Sequence, residues 1–361
     1  MEAVPASALS VRMLQGSAML SISLCLLCAS IATPTPESAP EVVATKYKVY
    51  RTWDFTLPKE RWLPVGDGLP FAGLGDTAFK AALDGTSLLL DSDGDGETDL
   101  SIALEDTKDG KTPLVVLHAG DSGGRRAVRL SDRGGWHYAP AGAVVAKWRD
   151  TQFKVIDQNG DGRFDGIGED ALVVGRGESA SYLSEVTNVA GELFRLEVAE
   201  DGSQLSFTPF EGESGVLDMH GGYKTEAKLE RVVVRDTGGR YSFDLGKATA
   251  GLRVPAGEYR LEDAVVVLGR GSVDIKRGKL GRIDVAADAI VQLDWGGPLE
   301  ASFDYVRRDG ELRFSPLAVW YHGQAGELYS GWNPRGTSPK FVVKSKETGE
   351  VLVDAVFPGS S

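Results

Sequence analysis

The sequence predicts an all-β, multi-domain chain, and three observations carry that prediction. Apolar residues recur with a period of two in runs of roughly four to eight, the signature of half-buried strands. Glycine occupies 45 of the 361 positions, well above the usual share of about 7%, and supplies the tight turns that many short strands need. Third, the pattern Asp-x-Asp/Asn-x-Asp-Gly-x-x-Asp occurs twice, each time between two apolar runs. The copies are Asp91-Ser-Asp-Gly-Asp-Gly-Glu-Thr-Asp99 and Asp157-Gln-Asn-Gly-Asp-Gly-Arg-Phe-Asp165.

Taken in order, Met13 to Ile31 is an apolar run that ends at the small residues Ser30-Ile-Ala32, which fits a secretory signal peptide over 1–32. Cys25 and Cys28 both lie inside it. Leu24 and Leu27 stand where a lipidated cysteine needs a small neighbour, so a cleaved export signal is expected rather than a lipid anchor. A mature chain from near Thr33 then has no cysteine, and its stability in an oxidising compartment rests on packing and metal. Residues 33–45, with Pro34, Pro36 and Pro40 among Ser, Ala and Glu, read as an extended tether.

A first β domain is expected over 46–221. Lys46 to Tyr50 and Trp53 to Leu57 alternate and open it. Thr86 to Leu90 and Leu100 to Leu104 flank the first acidic segment, and Phe153 to Ile156 and Ala171 to Val174 flank the second. Between them, Pro113 to His118, Arg125 to Leu130, Trp136 to Tyr138 and Val144 to Trp148 read as strands, Pro64 to Gly75 as a loop and Asp121 to Gly124 as a turn. Phe79 to Leu83 fits either a strand or a turn of helix. Gly191 to Val198 and Gln204 to Pro209 form a hairpin about the Asp-Gly turn at Asp201.

His220-Gly-Gly222 marks a boundary, after which a β-sandwich module is expected over 222–297. Its strands are Lys228 to Val234, Tyr241 to Leu245, Val254 to Leu261, Ala264 to Leu268, Ile283 to Val285 and Ile290 to Trp295. Six further short runs between Leu299 and Phe357 predict an immunoglobulin-like module over 298–361. Trp320, Tyr321, Tyr329 and Trp332 cluster there, and core or edge packing is expected of them before a binding face.

The acidic segments carry the chemistry. Hard cations such as Ca²⁺ take six to eight oxygen ligands and tolerate irregular geometry, so carboxylates on alternate residues of a short loop surround them well. The expected ligands are Asp91, Asp93, Asp95, the Glu97 carbonyl and Asp99 in loop one, and Asp157, Asn159, Asp161, the Arg163 carbonyl and Asp165 in loop two. Gly96 and Gly162 let the backbone turn sharply at the sixth position. The alternative is a pair of plain Asp-Gly hairpin turns. An EF-hand is excluded, because its bidentate Glu at position 12 is replaced by Ile102 and Gly168 and the flanks read as strands. Glu169 and Asp170, just beyond loop two, either add a ligand or are solvated, and solvation is the favoured expectation.

On these residues the loops resemble the β-hairpin calcium loops of FG-GAP and integrin-propeller repeats and the related loops of thrombospondin type 3 and dockerin modules. The resemblance implies metal ligands and no activity. Val254-Pro-Ala-Gly-Glu-Tyr-Arg-Leu261 resembles a strand of carboxypeptidase-regulatory-like and other transthyretin-like β-sandwiches, which implies a fold and no function.

A net charge of −13 argues against nucleic acid and anionic membranes as partners. No Gly-x-Ser-x-Gly elbow, His-Glu-x-x-His helix or phosphate-binding Gly-Lys-Ser/Thr loop is present, and the histidines (His118, His137, His220 and His322) are scattered. The sequence therefore points away from an enzyme. It suggests an exported calcium-binding β protein with a structural, adhesion or binding role, secreted or periplasmic, whose partner is calcium and a surface glycan or protein. An accessory carbohydrate-binding module or a polysaccharide hydrolase is the alternative.

Overall fold

The computed structural model describes residues 39–71, 79–119, 124–333 and 340–356. The expected leader, the tether up to residue 38, the far part of the 64–75 loop, the turn at 121–123 and Phe357 lie outside the described residues. Those described form an all-β architecture of several sheets, with one short 3-10 segment at Leu104–Gly110. No helix among them is long and apolar enough to cross a membrane.

Five antiparallel strands make a central sheet in the order Ser181–Tyr182, Ala171–Val174, Thr151–Ile156, Gly142–Trp148, Lys46–Val49. A second sheet faces it, ordered Glu41–Ala44, Gln204–Pro209, Glu192–Val198, Val186–Val189. Alternation explains the second sheet: in Gln204–Pro209, Leu205 and Phe207 turn inward while Gln204 stays exposed. Trp148 stacks on Phe207 with centroids 4.0 Å apart and meets Phe194 edge-on at 4.8 Å. The central sheet is covered on its other face too, by Phe55 and Leu57, which pack with Ala143, Ile156, Ala171 and Val173. Burial on both sides of Ala171, Leu172 and Val173 is why this strand reads as a continuous apolar run, which ends at the exposed Val174.

Between Tyr50 and Ala141 the chain leaves this sheet, and the Tyr50 amide bonds the Ala141 carbonyl where it rejoins. The intervening residues build two four-stranded sheets of their own. One is ordered Leu63–Pro64, Trp136–Pro140, Gly124–Asp132, Leu114–Ala119; the other Gly68–Leu69, Phe79–Asp84, Ser87–Leu90, Leu100–Ile102. Phe79, Leu88, Leu90, Leu117, Leu130 and Tyr138 fill the space between them. The stretch at Phe79 is thus a strand.

The C-terminal part is organised on a long antiparallel sheet that runs Ser242–Asp244, Lys228–Asp236, Gly257–Leu268, Gly271–Lys276, Leu328–Asn333, Glu311–His322, Glu300–Arg308. A three-stranded sheet of Leu252–Pro255, Ser214–Asp218 and Ile290–Gln292 shares a core with it that includes Trp295, Tyr259, Leu217 and Ile275. Pairing crosses the division expected at 297/298, because Ile275 lies opposite Tyr329, and both are buried. The last strands, Lys340–Lys344 and Val351–Val356, pair with each other.

Candidate metal centres in two matching loops

Both acidic segments connect neighbouring antiparallel strands. Loop one joins Ser87–Leu90 to Leu100–Ile102, with Leu90 opposite Leu100. Loop two joins Thr151–Ile156 to Ala171–Val174, with Ile156 opposite Ala171.

The two loops repeat one hydrogen-bond pattern. The amide at position 4 donates to one oxygen of the first Asp, in Gly94 to Asp91 Oδ1 at 2.6 Å and Gly160 to Asp157 Oδ1 at 2.7 Å. The amide at position 6 donates to its other oxygen, in Gly96 to Asp91 at 2.9 Å and Gly162 to Asp157 at 2.8 Å. Position 5 donates to the side chain at position 3, Asp95 to Asp93 at 3.2 Å and Asp161 to Asn159 at 3.1 Å. Position 7 donates to position 5, Glu97 to Asp95 at 2.7 Å and Arg163 to Asp161 at 2.8 Å. The glycines make this possible: Gly94, Gly96, Gly160 and Gly162 all have φ between 74° and 91°, a region that favours residues without a Cβ.

In loop one, oxygens of Asp91, Asp93 and Asp95 lie within 4.8 Å of one another. Asp91 is fully buried and the other two are exposed. Loop two has the same bonding with Asn at position 3, which sets Asp157, Asn159 and Asp161 in the same posture.

Position 9 is where the loops part. Asp99 turns back on Ser92, accepting from its amide and hydroxyl at 2.7 Å each, and these bonds hold its carboxyl below the usual range. Asp165 is exposed. Glu97 is also exposed, and the Arg163 side chain pairs with Glu200 at 3.3 Å, so both side chains lie clear of any role for their carbonyls. The Lys80 ammonium donates to the Gly96 carbonyl at 2.9 Å, bringing a positive charge to loop one from the neighbouring strand.

Asp170 corrects an expectation. It is fully buried rather than solvated, whereas Glu169 is exposed. Asp170 Oδ2 accepts from the Gly166 amide at 3.0 Å, while Oδ1 is buried with no hydrogen-bond partner. Burial, and after it the Asp157, Asp161 and Asp165 charges, push its carboxyl up to about 9. Burial and then the Asp161 charge push Asp157 up to about 7. The sequence offers Asp170 as a ligand or a solvated residue, and solvation is favoured there because Asp170 lies outside the nine-residue pattern. The available signal was its position directly before a wholly apolar strand, where a lone acid is costly.

Arg126 is a second residue the pattern does not contain. Its guanidinium donates to the Gly162 carbonyl at 3.1 Å and lies 4.7 Å from the Phe164 ring. Burial lowers its pKa, opposed by the nearby Tyr47 and Asp157.

The donor set is all oxygen, and loop two holds a buried carboxylate oxygen without a donor. Both features fit a hard divalent cation and give a soft metal no sulfur or imidazole. Among the described residues, Asp91, Asp93 and Asp95 form the one group of three or more acids, histidines or cysteines with converging ligand atoms. No known family, curated protein or solved structure matches this chain.

Proposed function

We propose that the chain is an exported calcium-binding β protein whose role is structural, adhesive or binding, and that it has no catalytic activity of its own. The observation that carries this reading is the four-bond pattern repeated in both loops, with oxygens of Asp91, Asp93 and Asp95 within 4.8 Å of one another in loop one and Asp157, Asn159 and Asp161 held by the same bonds in loop two. Asp91, Asp93 and Asp95 would hold an ion in loop one, and Asp157, Asn159 and Asp161 in loop two, with the carbonyls of Glu97 and Arg163 as further donors. Bound calcium supplies positive charge that offsets the crowding of these acids. Sites of this kind in extracellular modules bind at about 10⁻⁴ to 10⁻³ M, so an export signal and calcium loops are mutually consistent.

Thermal unfolding in excess calcium and in chelator tests the reading. A ligand at ten times its dissociation constant stabilises the native state by about 1.4 kcal/mol per site, so two sites contribute about 3 kcal/mol. Identical unfolding in the two conditions removes the proposal.

One observation supports a second reading, the carbohydrate-binding module. Trp332 is 41% exposed and lines a groove with Tyr223, Leu268 and Leu299, and Tyr321 stands edge-on to it at 5.9 Å. Binding of soluble glycans that is lost in Trp332→Ala would establish it.

A further inference from the structure

Loop two differs from loop one in what surrounds it. Loop one passes straight from Asp99 into the strand at Leu100, whereas five residues, 166–170, separate Asp165 from the strand at Ala171. Those residues fold Asp170 back: its amide bonds the Gly166 carbonyl at 2.8 Å, and its side chain accepts from the Gly166 amide. This carboxylate is completely buried, has one oxygen with no donor, and interacts electrostatically with Asp157, Asp161 and Asp165. A buried carboxylate oxygen with no donor is costly unless a cation or a proton takes that place.

Loop two also touches three separate sheet systems. Gly160 packs against Leu63 and Tyr138 of the inserted sheets, and Arg126 from the same sheets bonds Gly162. Gly168 packs on Arg235 and the Gly239 carbonyl of the C-terminal part. The Asp170 carbonyl accepts from Leu183 beside the central sheet.

We propose that Asp170 is an additional ligand of a divalent cation in loop two, so that loop two is the tighter of the two sites and its ion fixes the junction of the three sheet systems, while loop one is a weaker surface site. The proposal rests on the calcium reading above and extends it to a residue outside the motif. With Asp170, loop two has three carboxylates, Asp157, Asp161 and Asp170, which equals the Asp91, Asp93 and Asp95 of loop one. The difference is burial, since Asp157 and Asp170 are both buried whereas loop one buries Asp91 alone, and charges attract a cation more strongly away from water. Lys80, bonded to the Gly96 carbonyl, further weakens loop one for a cation.

Calorimetric titration of the full chain with calcium chloride decides it. The wild type is expected to show two classes of site. Asp170→Asn, which keeps size and removes charge, should weaken the tighter class by about tenfold or more and leave the other unchanged, while Asp99→Asn should leave the tighter class unchanged. Two sites with wild-type affinities in Asp170→Asn overturn the ligand role and leave the calcium reading standing. No binding to the wild type overturns both. Hydrogen exchange on the wild type needs no variant: peptides covering 157–171, 136–140 and 235–241 should lose protection when calcium is chelated, and equal protection in both conditions overturns the junction.

Discussion

Replacing Gly168 with Ala tests whether loop two is wedged against the C-terminal part. Gly168 has φ of 71°, and Gly175, in the next turn, has φ of 90°. Both substitutions force a Cβ into the left-handed region, at about 1–2 kcal/mol each. The surroundings separate them. At Gly175 the new methyl meets nothing within 4 Å, whereas at Gly168 it falls 2.7 Å from the Gly239 carbonyl oxygen and closer still to the Arg235 guanidinium. A side chain can swing away, but a backbone carbonyl in a turn cannot do so without moving the strand ends beside it. Overpacking of this kind costs about 1–3 kcal/mol, so Gly168→Ala should lose about 2–5 kcal/mol against about 1–2 for Gly175→Ala. Urea unfolding in excess calcium measures both. A difference below roughly 0.5 kcal/mol, within ordinary surface variation, would refute the wedge.

Further outcomes are expected. Asp157→Asn should remove the larger part of the calcium-dependent stabilisation, Asp91→Asn the smaller part, and the pair of changes all of it, as read by melting in calcium and in chelator. Calcium affinity at loop two should fall with acidification: the Asp157 and Asp170 carboxyls are raised to about 7 and about 9, favour the protonated form below those values, and must release their protons to coordinate. Titrations in buffers of different ionisation enthalpy would reveal proton release at pH 7, and none would contradict the placement of these acids. Trp148→Ala should cost about 3–5 kcal/mol, since Trp148 packs between Phe194 and Phe207. Tyr47→Phe removes the oxygen that accepts from the buried Ala127 amide at 2.8 Å and should cost about 1–3 kcal/mol by denaturant titration.

The strands were legible where one face is wet and one is dry. Gln204 to Pro209 alternates and forms a strand; Ala171 to Val174 does not alternate, and its flanking motif identified it instead. The loops themselves were legible because a cation loop needs oxygens and glycines at fixed spacing, so the chemistry is written locally. The burial of Asp170 and the part played by Arg126 were not, since they depend on contacts with residues outside the local pattern, such as Leu183 bonding Asp170 and Gly162 bonding Arg126. Nor does local pattern show that 51–140 is an insertion. That fact lies in the pairing of Val49 with Gly142, and period-two alternation is silent about which strand lies alongside which.

The insertion gives loop two its importance. The ends of 51–140 lie side by side, joined by the Tyr50 amide and the Ala141 carbonyl, so the parent sheet closes over the gap with little loss. Adjacent ends leave the inserted sheets free to pivot unless contacts away from the joint hold them. Three such contacts are the Tyr47 hydroxyl to the Ala127 amide, Arg126 to the Gly162 carbonyl, and Leu63 with Tyr138 on Gly160. Two of the three end on loop two. Its backbone is in turn held by Asp157, whose buried carboxylate takes the amides of Gly160 and Gly162, the same two glycines that the inserted sheets touch. Any cation that steadies Asp157 therefore steadies the surface on which the inserted sheets rest, and loop one, at a hairpin end within those sheets, has no comparable leverage.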